Sequence, residues 1–578
     1  MRSRNSQRGA DPAGSRDNIS PFQGPFSKGQ NISDMIPLRR LVLFLSVFLI
    51  VDGLACRALS QDAPALERGP WVPDVGQGEY RNPIIFADYS DPDVCRKGRT
   101  YYLVASSFTQ IPGLPILESK DLVNWKIVGH ALKRLPPYHH YESVHPGDGV
   151  WAPAIRFHDG KFFVYYPDPD YGIFLVTAAN PRGPWSKPVL VMGGKGLEDP
   201  CPFWDSDGKA YLIHAFAGSR AGIKSVLVLN LMNSGGTRVV DNGAIVYDGH
   251  GVDPTIEGPK LYKRKGYYYI FAPAGGVTDG WQVVLRSKNI YGPYERRVVL
   301  HQGNTSVNGP HQGAWVETPG GQSWFIHFQD RGAYGRVDYL EPMRWNNGWP
   351  EIGKVRPGNT IGEPVLRYRR PHVGKNFPVE VPQTSDEFNE ESIGLQWQWQ
   401  ANPQPTWAFP AGNLGFLRLY AIPDCSKNFW TVPNILSQKF PAEIFTATAK
   451  LTFAPLSLGD RAGLIVLGSS YASLSLEREE NGLYMVYAVC EHADRGKPET
   501  LARLGVAPDS TVYLRVSVSC GAVCRFSYSY DGRYFIEVPG TFTAKPGRWI
   551  GAKLGIFCVG KKKSDDSGYA DFDWFRVR

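Results

Sequence analysis

The sequence predicts an all-β chain in which a five-bladed β-propeller is followed by a β-sandwich. Aromatic residues make up 13% of the 578 residues, and 62 glycines and 46 prolines supply many turns. Long runs with helical periodicity are scarce. The chain is too long for one hydrophobic core, so two or three domains are expected.

The propeller is predicted from a unit that recurs five times, a glycine turn followed by a strand rich in aromatic residues. The turns end at positions 98, 160, 208, 266 and 321, which gives steps of 62, 48, 58 and 55 residues. Steps of this size, with about four strands each, are typical of propeller blades. They predict five blades between residues 80 and 370; an irregular β-sandwich with chance glycine turns is the alternative.

The sandwich is predicted from the last third of the chain. Residues 371–384 are predicted to be a linker, and residues 385–578 are again rich in β-prone residues. Runs such as Thr446–Phe453 and Tyr513–Val518 alternate, and Asp531-Gly532 is typical of a hairpin turn. Roughly 190 residues of this pattern suit two packed sheets.

Residues 1–60 are predicted to be a disordered leader and a signal peptide. Residues 1–34 are polar, and Arg39-Arg40 precede an apolar run from Leu41 to Val51 that is short for a bilayer span. We therefore expect export to the periplasm, the cell surface or the medium, with cleavage near residue 60 and no stable membrane span in the mature chain. An uncleaved anchor is the alternative, and Cys56 resembles a lipoprotein acceptor only loosely.

Charge and cysteine content argue against other classes. The formal net charge is +8, residues 1–60 supply +4 of it, and no dense basic stripe remains, so nucleic acid is not an expected partner. The cysteine spacing does not match a zinc site. A disulfide among the late cysteines would be allowed in an exported protein, although the sequence does not set the pairing: Cys490, Cys520, Cys524 and Cys558.

Three acidic residues occupy equivalent places in the repeats. Asp91, Asp199 and Glu257 each stand among proline or glycine turn residues, a few positions before an aromatic strand. Because a propeller gathers the inner ends of its blades around a channel, we expect these carboxyls to converge. Repulsion and desolvation would then separate their pKa values. Glycoside hydrolysis needs that separation, because it uses one protonated acid and one ionised base.

Residues 80–370 resemble family 43 of the glycoside hydrolases, and residues 385–578 resemble the concanavalin-like β-sandwich appended to its xylosidase-type members. Five motifs in the family's order carry the likeness: Asn82-Pro83 with Asp91-Pro92, Gly149-Val-Trp-Ala-Pro-Ala-Ile, Asp199-Pro-Cys-Pro-Phe, Glu257-Gly-Pro and His311-Gln-Gly. The resemblance implies an inverting β-xylosidase or α-L-arabinofuranosidase that acts on xylan, arabinoxylan or arabinan, or on their oligosaccharides.

The resemblance also implies roles for individual residues. Asp91 would be the general base, Glu257 the general acid, and Asp199 the residue that tunes the pKa of the acid and orients it. Arg336 would lie near the substrate, and His311 would contact a calcium ion in the channel through water. Phe108 and Trp151 are further substrate-binding candidates; Trp151, after Gly149-Val, suits an aromatic platform under a sugar ring and equally a place in the blade core.

No cofactor is required by this interpretation. The interpretation allows a structural calcium ion in the channel and in the sandwich; Asp386, Glu387 and Asp573 offer oxygen ligands in the sandwich, although exposed turn acids explain these three residues equally well. Two features stay open. Asp93 adds an acidic group beside Asp91, and Asp168-Pro-Asp170 has the same look but is expected to line the pocket rather than to catalyse.

Two other functions compete with an inverting hydrolase. One is a non-catalytic polysaccharide-binding protein, and the other is a retaining hydrolase on a five-bladed propeller. The sequence also leaves open the choice between xylose and arabinofuranose, between exo and endo action, and between oligomeric states.

Overall fold

Nearly all of the regular secondary structure in the described part of the chain is β-strand. The computed structural model describes residues 69–423, 426–562 and 565–578, so the predicted leader and signal peptide lie outside the described residues. Within those ranges each helix is a single turn, and none has the length and apolar character needed to span a bilayer. The turns are Gly218–Ala221 and Gly276–Asp279, with 3-10 turns at His140–Glu142, Gly332–Tyr334, Phe429–Thr431, Ala493–Arg495 and Cys520–Ala522.

Residues 93–352 form five consecutive antiparallel sheets, each a meander of four strands. The strands are Asp93–Lys97, Thr100–Val104, Gly113–Ser119 and Trp125–Leu132 in the first sheet; Ala154–His158, Lys161–Asp168, Gly172–Ala178 and Val189–Gly193 in the second; Leu197–Trp204, Ala210–Phe216, Val226–Met232 and Ala244–Asp248 in the third; Lys260–Arg264, Tyr267–Ala274, Trp281–Ser287 and Glu295–His301 in the fourth; and His311–Glu317, Ser323–Asp330, Arg336–Asn346 and Trp349–Ile352 in the fifth.

Five short strands complete this region. Two of them, Lys354–Val355 and Gly362–Glu363, extend the fourth sheet. The other three form a small sheet that joins the start of the region to its end: Asp74–Gly76, Glu79–Arg81 and Arg367–Arg369.

The five sheets form a closed ring. Contacts run from the first strand of the first sheet to the first strands of the second, third and fourth sheets in turn. The first strand of the fifth sheet contacts both the fourth sheet and the first strand of the first sheet, which completes the ring. Near this closure Ile85 pairs with Asp338, and the Asn82 side-chain amide donates hydrogen bonds to the Leu340 and Val365 carbonyls. The predicted propeller fold is confirmed.

The glycines that mark the sequence repeat share one backbone conformation. Gly98, Gly160, Gly208, Gly266 and Gly321 have φ values between 61° and 83°. A Cβ atom added at any of them would meet nothing within 4 Å. The left-handed backbone of the turn, rather than lack of space, therefore favours glycine at these positions.

Most of the residues beyond 385 form a sandwich of two eight-stranded sheets. One sheet contains, in spatial order, Gln398–Trp399, Leu436–Lys439, Lys553–Gly560, Arg461–Leu467, Tyr471–Glu479, Gly482–Cys490 and Thr500–Val506, with Ile422–Pro423 beside the third strand. The other contains Ala408–Ala411, Phe416–Tyr420, Tyr569–Val577, Phe445–Ala454, Thr511–Ser519, Val523–Ser529 and Ile536–Glu537, with Phe542–Thr543 beside the sixth strand.

Alternation along the strands places the sandwich core between the two sheets. Val512, Leu514, Val516 and Val518 are buried in one shared core, while the residues between them are partly exposed. Because successive side chains of a strand point to opposite faces, one face is apolar and the other meets solvent. Among the late cysteines, Cys520 is disulfide-bonded, and the other three are free and buried.

The propeller and the sandwich share an apolar interface. Phe86 and Tyr334 of the propeller belong to the same buried cluster as the sandwich core, and the Tyr334 ring lies 6.2 Å from the Phe440 ring. The backbones of Ile111 and Trp399 exchange two hydrogen bonds, of 2.9 and 2.6 Å. Apolar packing and strand-like pairing together hold the two domains against each other.

Candidate active site

The seven residues that the sequence assigned to catalysis, to substrate binding or to the channel calcium line one cavity. The cavity has a volume of about 550 Å³ and lies where inner strands of the propeller begin. The ring of sheets brings these residues together, although 245 positions separate Asp91 from Arg336 along the chain. The seven are Asp91, Phe108, Trp151, Asp199, Glu257, His311 and Arg336.

Asp91 is held by two donors. Its Oδ2 accepts a hydrogen bond of 2.5 Å from the Ser106 hydroxyl, and its Oδ1 accepts one of 2.8 Å from the Arg336 guanidinium. The residue has a φ of 57°, so a strained turn presents its carboxyl to the cavity. A buried carboxylate that accepts from a guanidinium is a strong, charge-assisted pair.

Glu257 has a different environment. Burial, followed by the charge of Asp199, raises the pKa of Glu257 to about 8, although Arg336 acts in the opposite direction. The nearest imidazole nitrogen, Nε2 of His311, lies 3.3 Å from the Glu257 carboxyl without hydrogen-bond geometry. Burial and Arg336 lower the pKa of His311 to about 3, so the imidazole is neutral. Glu257 therefore keeps its proton at neutral pH.

Asp199 lies beside Glu257, and one carboxylate oxygen of each is within 4.8 Å of the other. Oδ2 of Asp199 accepts hydrogen bonds from the Gly258 backbone at 2.7 Å and from the Gln312 side chain at 2.8 Å. A Cβ on Gly258 would lie 2.4 Å from the Gln312 amide oxygen, which explains the glycine after Glu257. Burial, moderated by Lys260, raises the pKa of Asp199 to about 6, so the group is largely ionised at pH 7.

One wall of the cavity is aromatic, and part of it comes from the sandwich. Phe108 and Trp151 lie 6.5 Å apart, and the Trp549 ring lies 6.1 Å from that of Trp151. Trp549 lines the cavity although it belongs to the second domain. Its role was missed because it depends on a contact across some 400 residues of sequence, which no local pattern signals.

Glu198 is a second residue that was missed. It lines the cavity beside Asp199 and is only 6% exposed. Consecutive residues of a regular strand point to opposite faces, so a regular strand here would direct only one of the two carboxyls into the channel. The acidic pair Glu198-Asp199 was visible, but the backbone irregularity that turns both inward was not.

Two further acidic residues lie outside the cavity lining. Asp93 accepts hydrogen bonds from the Ile155 N–H at 2.7 Å and from the Arg156 guanidinium at 2.5 Å. Asp168 was expected to line the pocket, but its carboxyl accepts a hydrogen bond of 2.6 Å from the Tyr141 hydroxyl and is fully buried. Both carboxyls join propeller segments, so Asp91 is the member of the Asp91-Pro-Asp93 pair that faces the cavity.

Asp88 connects the sandwich to the catalytic cavity. One of its oxygens accepts from the Arg336 N–H at 2.9 Å, and the other accepts from the Gly551 N–H at 2.9 Å and the Lys553 ammonium at 3.2 Å. Burial acts to raise the pKa of Asp88, but Lys553, a second nearby lysine and the backbone donors lower it to about 2. One carboxylate therefore joins the second domain to the arginine that holds Asp91.

The sandwich carboxylates do not fit the predicted second calcium site. Calcium needs several oxygen ligands that converge on one point. Each predicted ligand is instead paired with a different protein donor, Asp386 with the Trp397 indole, Glu387 with the Arg576 guanidinium and Asp573 with the Lys450 ammonium.

The cavity defines the class of the protein. A cavity of this size, with a protonated carboxyl beside an ionised one, has the groups that hydrolysis of a glycosidic bond requires, and both domains match those of glycoside hydrolases. The chain belongs to family 43 of that class. The model for glycosyl hydrolases family 43 matches residues 80–350, and the model for the β-xylosidase C-terminal concanavalin A-like domain matches residues 385–578.

Known proteins are similar to this chain through both domains. A β-xylosidase from Formosa agariphila is 34% identical, with 92% of this chain and 97% of that protein aligned. A non-reducing end α-L-arabinofuranosidase from Bacteroides ovatus is 31% identical, with 88% and 97% aligned. The crystal structure of a family 43 protein from Bacillus licheniformis has a TM-score of 0.73 at 27% identity, covering 86% of this chain and 99% of that chain.

Proposed function

We propose that this glycoside hydrolase releases terminal xylose or arabinofuranose from xylan, arabinoxylan or arabinan, or from their oligosaccharides, with inversion at the anomeric carbon. The observation that supports the proposal is one cavity in which Asp91 and Glu257 have different donors and charges around them. Similarity to a β-xylosidase and to an α-L-arabinofuranosidase supports the substrate class.

Glu257 is the general acid of the proposed reaction. Because its pKa is about 8, the carboxyl is protonated at neutral pH and transfers that proton to the glycosidic oxygen as the bond to C1 breaks. The charge of Asp199 holds the proton on Glu257 until that moment. The neutral His311 ring leaves this charge arrangement intact.

Asp91 is the general base. Its carboxylate takes a proton from a water molecule, whose oxygen forms the new bond to C1 on the face opposite the leaving group. Ser106 and Arg336 hold the carboxylate in place for this transfer. One proton leaves Glu257 and one arrives at Asp91, so solvent must return the proton before the next turnover.

The aromatic wall binds the sugar ring. Phe108, Trp151 and Trp549 present apolar surface to the C–H groups of the ring, while Arg336 and the carboxyls meet its hydroxyls. A wall supplied by both domains suits the binding of a chain end, in agreement with release of terminal sugars.

Calcium in the channel fits His311. Both ring nitrogens of this buried residue lack a hydrogen-bond partner among the described residues, so water molecules around an ion would satisfy them. A bound calcium ion would add positive charge beside the carboxyls. We expect chelation by EDTA to lower the melting temperature and added calcium to restore it; an unchanged melting curve would exclude this ion.

Product stereochemistry tests the proposal. Purified protein is incubated with aryl β-xyloside and aryl α-L-arabinofuranoside, and the first-formed sugar is followed by proton NMR. Inversion predicts α-xylose from the β-xyloside before mutarotation. First-formed β-xylose would indicate retention, and no release from either substrate by folded protein would favour a binding protein.

Export of the mature enzyme is also proposed. The basic pair and short apolar run within residues 35–51 support a cleaved signal peptide. Cell fractionation and N-terminal sequencing would test it. A mature chain that starts near residue 60 outside the cytoplasm is expected, whereas retention of residues 35–51 would indicate an anchor.

A further inference from the structure

One carboxyl group in the cavity has no partner among the described residues and no part in the acid–base pair. Glu198 is 6% exposed and lines the cavity, with a carboxyl oxygen within 4.8 Å of one oxygen of Asp199 and one of Glu257. None of the described residues gives it a hydrogen bond or an ion pair. Buried polar groups are nearly always satisfied. A buried carboxyl that reaches a cavity unpartnered is therefore placed to meet a ligand.

The backbone at this point is shaped to present that carboxyl. Successive side chains of a regular strand point to opposite faces. Here the register with the neighbouring strand Ala210–Phe216 shifts between Glu198 and Cys201, and Asp199 has a φ of 55°. Such bulges re-aim side chains next to active sites, at a cost in backbone strain. The bulge turns two consecutive carboxyls into the same cavity.

The charge state of Glu198 suits a hydroxyl partner. Burial, followed by the charges of Asp199, Glu257 and Asp91, raises the pKa of Glu198 well above its usual range, which favours the protonated form of this carboxyl. A neutral carboxyl offers one O–H donor and free acceptor positions. A sugar hydroxyl, which both donates and accepts, is complementary to it.

We propose that the Glu198 carboxyl hydrogen-bonds a ring hydroxyl of the sugar that is cleaved, and thereby helps to select that sugar. The inference rests on the proposed function, because it places a saccharide next to Glu257. Glu198 touches substrate but neither gives nor takes the proton of the reaction, so it determines specificity. A divalent cation held by the same carboxyls would instead need them ionised, which would remove the acidic proton from Glu257.

Two substitutions separate hydrogen bonding from packing. Glu198→Gln keeps a donor and an acceptor, whereas Glu198→Leu keeps similar volume and offers neither. We expect the leucine variant to lose roughly 10- to 100-fold in kcat/KM on an aryl xyloside or arabinofuranoside, whichever the wild type prefers, and the glutamine variant to stay within about threefold. Equal losses in both variants, with unchanged melting curves, would overturn the proposal.

Deoxy substrates identify the hydroxyl. Aryl glycosides of the preferred sugar, each lacking one ring hydroxyl, are compared in wild type and Glu198→Leu. One analogue should show no further loss in the leucine variant, because its hydroxyl partner is already missing. A leucine penalty of the same size on every analogue would mean that Glu198 contacts none of these hydroxyls.

Two measurements test whether Glu198 acts instead through its charge or through a bound cation. If Glu198 is neutral, replacing it with glutamine changes no charge, so the alkaline limb of the pH–kcat/KM profile should stay in place. A displaced limb would show that Glu198 is charged and acts on the pKa of Glu257, and this result would overturn the proposal. If a cation is involved, EDTA would abolish the difference between wild type and Glu198→Leu, which would also overturn it.

Binding separates this inference from the proposed function. Calorimetric titration of xylose and arabinose into Glu257→Gln protein, with and without Glu198→Leu, needs no turnover. Weaker binding in the double variant would support the Glu198 contact even if the wild type cleaved no glycoside. Turnover by the wild type with unchanged binding and kcat/KM in Glu198→Leu would leave the function standing and overturn the contact.

Discussion

Asp91 and Glu257 line the same cavity but have contrasting surroundings. Asp91 accepts hydrogen bonds from a hydroxyl and from a guanidinium. Glu257 has a neutral imidazole nearby, no hydrogen bond to it, and an anionic neighbour in Asp199. The two carboxyl groups thus differ in what packs around them: hydrogen-bond donors and a guanidinium hold Asp91, whereas Glu257 lies beside a negative charge and accepts no hydrogen bond from the described residues.

The largest effect is expected when the Asp91 carboxylate itself is replaced. Asp91→Asn should lower kcat about 100- to 10,000-fold on every substrate, because among the described residues no other carboxyl that lines the cavity accepts a hydrogen bond from the Arg336 guanidinium. Steady-state kinetics on an activated aryl glycoside would measure it. Asp93→Asn is the control: it should lower the melting temperature through the lost Arg156 contact, with kcat of the folded enzyme nearly kept. The opposite pattern would move the base to Asp93.

Removing the Glu257 carboxyl should have an effect that depends on the leaving group. Glu257→Gln should lower kcat about 100- to 10,000-fold on oligosaccharides, whose leaving oxygen needs a proton, and far less on a dinitrophenyl glycoside. A series of aryl glycosides with graded leaving-group pKa values gives the measurement. Equal losses across the series would contradict the acid role.

Neutralising Asp199 should reduce the contrast between the two carboxyls. The wild type keeps Glu257 protonated below a pKa of about 8, so kcat/KM should fall as the pH rises through that value. Asp199→Asn removes a charge that raises this pKa, so the alkaline limb should move to lower pH, and kcat/KM at pH 7 should fall by up to roughly tenfold. An unmoved limb would show that the charge of Asp199 does not set the pKa of Glu257. Asp170→Asn, outside the cavity lining, is the matched control.

Asp88 offers a way to perturb Asp91 indirectly, because Asp88 accepts a hydrogen bond from the backbone of Arg336, which in turn donates to Asp91. The pKa of Asp88 is lowered to about 2, so its stabilising contribution is complete above pH 4 and is lost as the pH falls toward 2. Asp88→Asn should cost about 3 kcal/mol of unfolding free energy, because Lys553 is left buried and unpaired. Urea unfolding at pH 7 and at pH 3 measures the difference. Lys553→Met in the same background should recover part of the loss, and no recovery would contradict the pairing.

The smallest effect is expected at the aromatic wall. Trp549→Ala removes apolar surface from the sugar site but touches neither carboxyl, so KM should rise roughly three- to tenfold with an unchanged pH profile. Tyr534→Ala, an exposed sandwich residue away from the cavity lining, is the control. A shifted pH profile in Trp549→Ala would mean that the sandwich also sets the charge states of the acids.

Local rules explain what could be predicted. The repeat was visible because Gly98 and its four equivalents meet a backbone requirement that glycine satisfies, and because buried strands favour aromatic residues. The convergence of Asp91 and Glu257 followed from their equivalent positions in a ring of sheets. The position of Asp168 was mispredicted because a turn acid looks the same whether it faces a cavity or, as here, a buried hydroxyl.

The sequence by itself determined the strand-and-turn repeat, the alternating sandwich and the positions of the three acids, because these depend on backbone preference and periodicity within a few residues. Only the tertiary structure decided that Glu198 turns inward, that Trp549 reaches the cavity from another domain and that Glu257 keeps its proton. These depend on a register shift, a domain interface and the charges of residues that are distant in sequence, and no local sequence pattern reveals any of the three.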